Sequence, residues 1–411
     1  MDESTREKDT QGAVPVGPRI GFRVGQLAGV EIRVDWSLAL VFWLIAVNLG
    51  VGLFPMQHPE WPLSLVWLVA FAAASLFFVS VLAHELAHAV VARAHGLRVS
   101  GITLFVFGGM AHIEDEPRSA RVEFLMAAVG PLTSLLIGVV AILVGGRLAP
   151  GAGLSSDAVT AWAHLPPLAT LLLWLGPVNV LLGLFNLLPG FPLDGGRVLR
   201  ALLWHATGDL EKATRWSSAA GRVLAFGLIF IGASMIFGVR VPVFGTGLLG
   251  GLWLIFIGWF LNNAAVQSYR QVAIRHALGN LTVGRLMRPE AAAVEPEMPI
   301  STFVDQYMLR GDVRCYAVVT GDLFRGMVCM SDLGKVPRQE WDSRTVGDIM
   351  TRLDALNTVT PVEPLIEALR KLSTRDMDQV PVVDAGRLLG MLRRSDILRW
   401  IELRMPAHAT G

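Results

Sequence analysis

Six apolar segments, each long enough to cross a lipid bilayer, constrain this chain more than any other feature of its sequence. A membrane-spanning helix needs roughly 20 apolar residues, and the uncharged run from Leu63 to Ala83 alone is of that length. Only 17% of the 411 residues are charged, and charges are sparse between about Trp36 and Asn262. We therefore expect an α-helical polytopic membrane domain, residues 21–262, followed by a linker at 263–280 and a soluble domain. The six segments are approximately 36–54, 63–92, 124–146, 168–189, 223–239 and 245–262.

The loops between these segments predict the orientation in the membrane. Lysine and arginine prefer the cytoplasmic side, and here they collect between segments two and three, after segment four, and near both ends of the domain. The opposite loops contain only Arg147 and Arg240. We expect a multi-pass cell-membrane protein with both termini in the cytoplasm. Residues 1–20 are polar and are predicted to be disordered. The net charge of +1 supports no binding of nucleic acid.

The second apolar segment ends in a pattern typical of metal-dependent hydrolases, His84-Glu85-Leu86-Ala87-His88. Two histidines four residues apart lie on one face of a helix, about 6 Å apart along its axis, so both imidazoles can reach one metal ion. A glutamate beside the first ligand can act as a general base toward water. The alternative is a pair of helix histidines satisfied by their neighbours, but three polar groups without a role would be costly in hydrocarbon.

A third protein ligand is expected, because hydrolytic zinc sites keep three protein ligands and one open position. His95 lies about 10 Å farther along the same helix axis than His88 and cannot share the ion unless the helix breaks. His112 follows a Gly108-Gly109 break and stays a weak candidate. Asp194 is the better candidate, because prolines end the fourth segment before it and bring it back toward the membrane from a non-helical stretch. Its alternative role is to cap the next helix.

Two stretches near the membrane domain have the composition of β-strands. Residues 99–114 are rich in β-branched and aromatic residues around Gly108-Gly109, and predict a short hairpin or re-entrant strand at the cytoplasmic side of the membrane. Residues 21–36 show a similar alternation before the first span. Short membrane-associated β segments are therefore part of the expected fold.

The soluble part contains an internal repeat. Thr282–Met287 matches Thr345–Met350, 63 residues on, and a Gly-Met-Val or Gly-Met-Leu strand followed by Ser-Asp recurs 64 residues on. Each copy ends in strand, turn, strand and helix. The pattern resembles a tandem pair of CBS domains, with the first copy at 281–340 and the second at 344–405. The only two cysteines, Cys315 and Cys329, lie here; they do not make a disulfide framework, and a reducing compartment is the simpler interpretation.

His-Glu-x-x-His in a second span, together with the segment Asn186-Leu-Leu-Pro-Gly-Phe-Pro-Leu-Asp194-Gly-Gly after the fourth, resembles the site-2 protease family of intramembrane zinc metalloproteases. The resemblance implies one Zn²⁺ per chain held by His84, His88 and Asp194, with Glu85 as the base. It implies that Asn186 lies near the substrate carbonyl. It also implies that the strand at Gly108 and Gly109 pairs with an unwound substrate.

The CBS resemblance implies a regulatory module that binds an adenine nucleotide, with Asp332 and Asp396 as the candidate residues. The Thr or Ser that the family places three residues earlier is Cys329 in one copy and Arg393 in the other. The two aspartates have an alternative role as helix caps, and the module has an alternative role as a structural or dimerising unit.

These observations predict an intramembrane zinc metalloprotease acting on transmembrane proteins, such as an anti-sigma factor or another membrane-bound regulator. An alternative from a different class is a CBS-regulated ion transporter or channel that uses the intramembrane His, Glu and Asp cluster, since membrane carboxylates and histidines line ion paths. A further alternative is an inactive scaffold that keeps the metal site.

Overall fold

A computed structural model describes residues 21–106, 108–113, 117–149, 165–241, 245–279, 281–289, 292–310, 313–374 and 377–404. The expectation of a disordered segment at 1–20 lies outside the described residues. The described chain divides into two compact units that meet between Tyr269 and Arg270. Each unit is described by itself below.

The first unit is built on helices that are long and apolar enough to cross a membrane, six of them among the described residues. They begin and end close to the apolar segments of the sequence. A seventh helix, α5, is shorter and amphipathic. The helices are α1 Ser37–Gln57, α2 Leu63–Ala94, α3 Ala120–Arg147, α4 Pro167–Asn186, α5 Asp194–Thr207, α6 Leu210–Ile236 and α7 Leu248–Leu278.

Local chemistry accounts for several of the helix ends. Pro62 precedes the first turn of α2, where the missing N–H of a proline costs nothing. Ser119 caps α3 by accepting a hydrogen bond from the N–H of Val122. The interruptions expected at Pro131 and Pro177 do not occur, because both prolines lie inside continuous helices. Neighbouring helices can stabilise a helix that lacks one backbone hydrogen bond in this way.

A four-stranded sheet belongs to the same unit, in the order β1 Phe22–Leu27, β2 Val30–Val34, β3 Val99–Phe105 and β4 Gly108–Ile113. Strands β2 and β3 are parallel, and the two outer pairs are antiparallel hairpins. Strand β4 is therefore an edge of the sheet. The strands expected from residues 21–36 and 99–114 pair with each other, which the sequence did not predict.

The second unit contains the repeated α/β module. Its strands form one sheet in the order β5 Ala293–Val294, β6 Cys315–Thr320, β7 Leu323–Cys329 and β8 Thr351–Arg352, and a second sheet of β9 Gln379–Asp384 and β10 Arg387–Arg393. Its helices are α8 Val283–Leu286, α9 Ile300–Phe303, α10 Val346–Ile349, α11 Leu365–Thr374 and α12 Arg394–Arg404.

The two hydrophobic cores of this module do not coincide with the two sequence repeats. Val346 and Ile349 of α10 are buried with Val318 and Val328 in the first core. Val283 of α8 is buried in the second core, with residues of β9, β10, α11 and α12. Each core therefore takes its short leading helix from the other copy.

The cysteines depart from the sequence interpretation. Cys315 on β6 and Cys329 on β7 are bonded as a disulfide, with their Cα atoms 4.0 Å apart. The antiparallel register of the hairpin places these two residues directly opposite each other. A pairing that depends on strand register is not visible in a count of cysteines, so the interpretation that both stay reduced is not supported by the structure.

Candidate metal centre

Two histidine side chains of α2 meet deep in the membrane unit. His84 and His88 are both 4% exposed, and their Nε2 atoms are 3.2 Å apart. The four-residue spacing on a continuous helix brings both rings to one face, as the sequence predicts. Only one turn separates them, so the helix itself sets their relative position.

The third side chain comes from another element more than 100 residues away. Asp194 Oδ2 lies 3.0 Å from Nε2 of His84 and 3.1 Å from Nε2 of His88. Asp194 is the first residue of α5 rather than part of a non-helical stretch, and Leu193 occupies the cap position. Its carboxylate therefore faces the histidines instead of capping the helix. One donor atom from each of the three residues lies within 4.8 Å of the others.

The remaining nitrogen of each histidine has a partner on α3. Nδ1 of His84 lies 2.9 Å from Oγ of Ser134, and Nδ1 of His88 donates to the carbonyl oxygen of Met126. A neutral ring that donates its Nδ1 proton keeps a lone pair on Nε2, which is the form that binds metal. The contacts with α3 thus orient both rings toward Asp194.

Glycine at position 130 is what allows α3 to approach this closely. A Cβ atom at Gly130 would lie 2.1 Å from Nε2 of His88 and 2.7 Å from Nε2 of His84. Real Cβ atoms do not make such contacts, so any other residue would displace the two rings. The Gly130-Pro131 pair, which suggested a helix break from the sequence, instead leaves room for the histidines.

Glu85 follows His84 on α2, and its side chain lies against the edge strand β4. A Cβ atom at Gly109 would be 2.2 Å from Cγ of Glu85. The backbone of β4 and the Glu85 carboxylate are therefore neighbours. The structure brings together the His-Glu-x-x-His turn and the Gly108-Gly109 segment, which the sequence connects only through a family resemblance. Gly108 has a φ of +122°, a conformation that favours glycine.

The arrangement fits a tetrahedral metal ion with nitrogen and oxygen ligands. Zinc bonds of about 2.0–2.2 Å at tetrahedral angles place ligand atoms about 3.3 Å apart. The three donor atoms are separated by 3.0, 3.1 and 3.2 Å. Two imidazoles and one carboxylate also leave a fourth position for water or substrate, as in hydrolytic zinc sites.

The other sequence candidates lie elsewhere or make local contacts. Nδ1 of His95 donates to the carbonyl oxygen of Val91 at the end of α2. His112 lies on β4, where its Nε2 is 3.0 Å from Oγ1 of Thr103. Asn186 is the last residue of α4, and its amide donates to the carbonyl oxygen of Leu182. A role for Asn186 toward a substrate stays a prediction.

In the second unit, both candidate aspartates are engaged by their own chain. Asp332 accepts a hydrogen bond from the N–H of Cys329 and pairs with Lys335 at 2.8 Å. Asp396 accepts two hydrogen bonds from the guanidinium of Arg288, at 2.8 and 2.6 Å. The hydrogen bond from Arg288 lowers the pKa of Asp396 below its ordinary value, and the charges of the nearby arginines lower it further.

A cleft of about 1070 Å³ lies beside these residues. Its walls consist largely of equivalent positions from the two repeats, 64 residues apart. Three arginines give it positive charge. The paired positions are Arg314 with Asp378, Cys315 with Gln379, Cys329 with Arg393, Met330 with Arg394, and Ser331 with Ser395.

Several residues around the metal centre were not found from the sequence. Ser134 and Met126 contact the histidines, and Glu123 forms an ion pair with Arg200 of α5. A backbone carbonyl such as that of Met126 leaves no trace in a sequence. Glu123 offered one signal, since it is an acidic residue at the edge of an apolar segment.

Comparison with known proteins gives two family matches. A model described as Peptidase family M50 matches residues 72–165 and 157–230, which include all three residues of the His-Glu-His set and Asp194. A model described as CBS domain matches residues 283–336 and 346–403.

Whole-length relatives are also found. Rip3 of Mycobacterium tuberculosis is 34% identical over 387 residues, which cover 92% of each chain. Zinc metalloprotease MJ0392 of Methanocaldococcus jannaschii is 30% identical over 377 residues, covering 92% of this chain and 95% of the relative. A solved site-2 protease from the same archaeon is 25% identical, covers 61% of this chain and 95% of its own, and superposes with a TM-score of 0.39.

Proposed function

This chain belongs to peptidase family M50, the site-2 protease family, and on that premise we propose how its own residues hydrolyse a peptide bond inside a membrane. It is a multi-pass membrane protein and a zinc-dependent metalloendopeptidase with a C-terminal CBS pair. The residue roles, the substrate, the orientation and the ligand of the CBS pair are the subject of the proposal.

His84, His88 and Asp194 hold the zinc ion, and Glu85 is the general base. The bound ion supplies a Lewis acid that lowers the pKa of water toward about 7 and polarises the substrate carbonyl. Glu85 takes a proton from the attacking water and passes it to the nitrogen of the leaving amine. The single observation that supports these roles best is the convergence of three donor atoms within 4.8 Å, one turn of helix from a glutamate.

The edge strand β4 is proposed to hold the substrate. A transmembrane helix keeps its carbonyls in hydrogen bonds, so it must unwind before a peptide bond can be attacked. An extended segment can then pair with a free sheet edge through its main chain. Because Gly109 contacts Glu85, a segment paired at Gly108 and Gly109 lies beside the base. The Asn186 amide is proposed as a donor to the substrate carbonyl.

Glu85→Gln tests the assignment of the base. We expect this variant to retain zinc, because the three ligands are unchanged, and to lose cleavage of a transmembrane substrate by at least about 100-fold. Zinc content and cleavage are measured on the same purified protein in lipid. Glu60→Gln, a change at an exposed glutamate of the same unit, is the matched control. Equal cleavage by Glu85→Gln and wild type would refute the base assignment.

The alternatives raised from the sequence fare differently. An ion transporter is disfavoured by family membership, and by polar groups that form one compact ligand set rather than a relay across several spans. An inactive scaffold would have the same ligand geometry and would differ only in activity. Wild-type protein that binds zinc but cleaves no membrane substrate at all would favour the scaffold.

Both termini are proposed to be cytoplasmic, on the basis of the arginine and lysine bias of the loops. The metal centre then lies toward the cytoplasmic end of α2, near Arg93. The orientation is tested with a membrane-impermeant thiol reagent in a variant without native cysteines. Glu60→Cys is expected to react in intact cells, whereas Lys212→Cys reacts only after permeabilisation. The reverse result would invert the topology.

The substrate class is proposed to be single-pass membrane proteins that control transcription, such as anti-sigma factors or membrane-bound regulators, by analogy with the family alone. A comparison of membrane-protein fragments in cells with wild type and with Glu85→Gln identifies candidates. Accumulation of the same full-length proteins in both strains would contradict the proposal.

An adenine nucleotide is proposed as the ligand of the CBS cleft. Support comes from its volume of about 1070 Å³ and from three lining arginines, Arg314, Arg393 and Arg394, which suit phosphate groups. Asp332 and Asp396 would have to leave their present partners to bind a ribose. Titration of the full-length protein with ATP, ADP and AMP tests the proposal, with Arg393→Ala expected to weaken binding. The absence of saturable binding would favour a structural or dimerising role, which light scattering measures.

A further inference from the structure

An ion pair between α3 and α5 is almost completely enclosed within the membrane unit. Glu123 is 0% exposed and Arg200 is 9% exposed. Both Nε and a terminal nitrogen of the Arg200 guanidinium donate to Oε1 of Glu123. The other carboxylate oxygen, Oε2, has no hydrogen-bond partner among the described residues. A buried pair of this kind is weak support for stability as such, because desolvation offsets much of its attraction.

The two partners lie on the elements that surround the metal centre. Glu123, Met126, Gly130 and Ser134 share one buried face of α3, at helical spacings of three, four and four residues. Met126 and Ser134 orient the two histidines, and Gly130 gives them room. Glu123 is the member of this face that contacts α5 instead of α2.

Arg200 connects that face to the third ligand. It lies six residues, or about 9 Å, along α5 from Asp194, the first residue of the same helix. Its guanidinium also lies 5.2 Å from the ring centre of Phe191, in the segment that leads into α5. Arg200 therefore contacts α3 on one side and the segment preceding Asp194 on the other.

We propose that Glu123 and Arg200 are positioning residues that set the place of Asp194 relative to His84 and His88. The inference rests on the proposed function, because it takes Asp194 as a metal ligand. One face of α3 then orients all three ligands: Ser134 acts on His84, Met126 acts on His88, and Glu123 acts on Asp194 through Arg200. Neither partner of the ion pair touches the reacting atoms.

The test measures the zinc affinity of the full-length protein in lipid by competition with a chelator. Arg200→Ala and Glu123→Ala are each expected to weaken zinc binding by about 10–100-fold, the usual effect of losing a group that orients a ligand. Arg200→Lys keeps the charge but not the forked geometry, and is expected to recover part of the loss. The double alanine variant should bind zinc about as weakly as either single variant, because both changes break the same connection.

Thr170→Val is the matched control for a general loss of stability. It removes the buried contact of 2.9 Å between Thr170 and His58, near the start of α4. We expect it to lower the melting temperature while leaving zinc affinity within about twofold of wild type. Arg200→Ala with unchanged zinc affinity, or Thr170→Val with an equal loss of affinity, would overturn the positioning role. Wild-type protein that binds no zinc would instead refute the proposed function itself.

Discussion

Each histidine of the metal centre has its two ring nitrogens assigned to different partners. In both rings Nε2 faces Asp194, whereas Nδ1 faces a group on α3. This division decides which tautomer is present, and so whether a lone pair points into the site. The His-Glu-x-x-His motif predicts the two residues but contains no information on what holds their Nδ1 atoms.

Ser134→Ala tests the importance of that orientation. Removing the hydroxyl leaves Nδ1 of buried His84 without its 2.9 Å contact, and we expect zinc affinity to fall about 10-fold or more. Chelator competition on the purified protein measures the change. Ser75→Ala, which removes an exposed serine bonded only to its own helix, should leave affinity unchanged. A similar result for both variants would show that Ser134 does not orient the ring.

At the scale of elements, the approach of β4 to α2 is the arrangement that gives the edge strand a role. Strand β4 is paired on one side with β3, and its Gly109 contacts the general base. The sequence predicts a strand at 99–114 from its β-branched residues. It does not predict that this strand meets Glu85, since that contact depends on how the sheet packs on α2.

Gly109→Ala is expected to abolish most cleavage while retaining zinc. The added methyl group would lie 2.2 Å from Cγ of Glu85 and would push the carboxylate away from its place. We expect a loss of at least about 100-fold in kcat/KM, the usual contribution of a general base. Gly25→Ala, on β1 of the same sheet, has open space around the added Cβ and serves as the control. Cleavage by Gly109→Ala at the rate of Gly25→Ala would contradict the contact.

At the scale of the whole molecule, the chain consists of two units with different solvents. The membrane unit buries polar groups only where they have partners or chemistry, and the CBS unit builds two cores that exchange their short leading helices. The ion pair between Arg288 and Asp396 joins the first repeat to the second. It therefore connects parts of the module that a repeat-by-repeat description would separate.

Arg288→Ala should make the CBS unit less stable near neutral pH. The pKa of Asp396 is lowered in the folded state, first by the hydrogen bond from Arg288. A lowered pKa stabilises the fold above the unfolded value of about 3.9, and this stabilisation is lost as the pH falls through the folded pKa. The difference between wild type and variant should therefore shrink below about pH 4. Hydrogen exchange of β9 and β10 measures it.

Arg344→Ala is the control for that experiment, since it breaks a more exposed pair with Glu340. Exposed pairs contribute little to stability, so this variant should resemble wild type at every pH. A difference between Arg288→Ala and wild type that is as large at pH 3 as at pH 7 would rule out the linkage.

The sequence by itself determined the features that depend on neighbours in the chain. The six spans follow from hydropathy over about 20 residues, the common face of His84 and His88 follows from helical spacing, and the two copies of the module follow from their repetition. Only the tertiary structure decided which distant groups meet: Asp194 rather than His95 beside the histidines, Gly109 beside Glu85, and Cys315 bonded to Cys329. These contacts join separate elements, and their geometry depends on packing and strand register rather than on any local pattern.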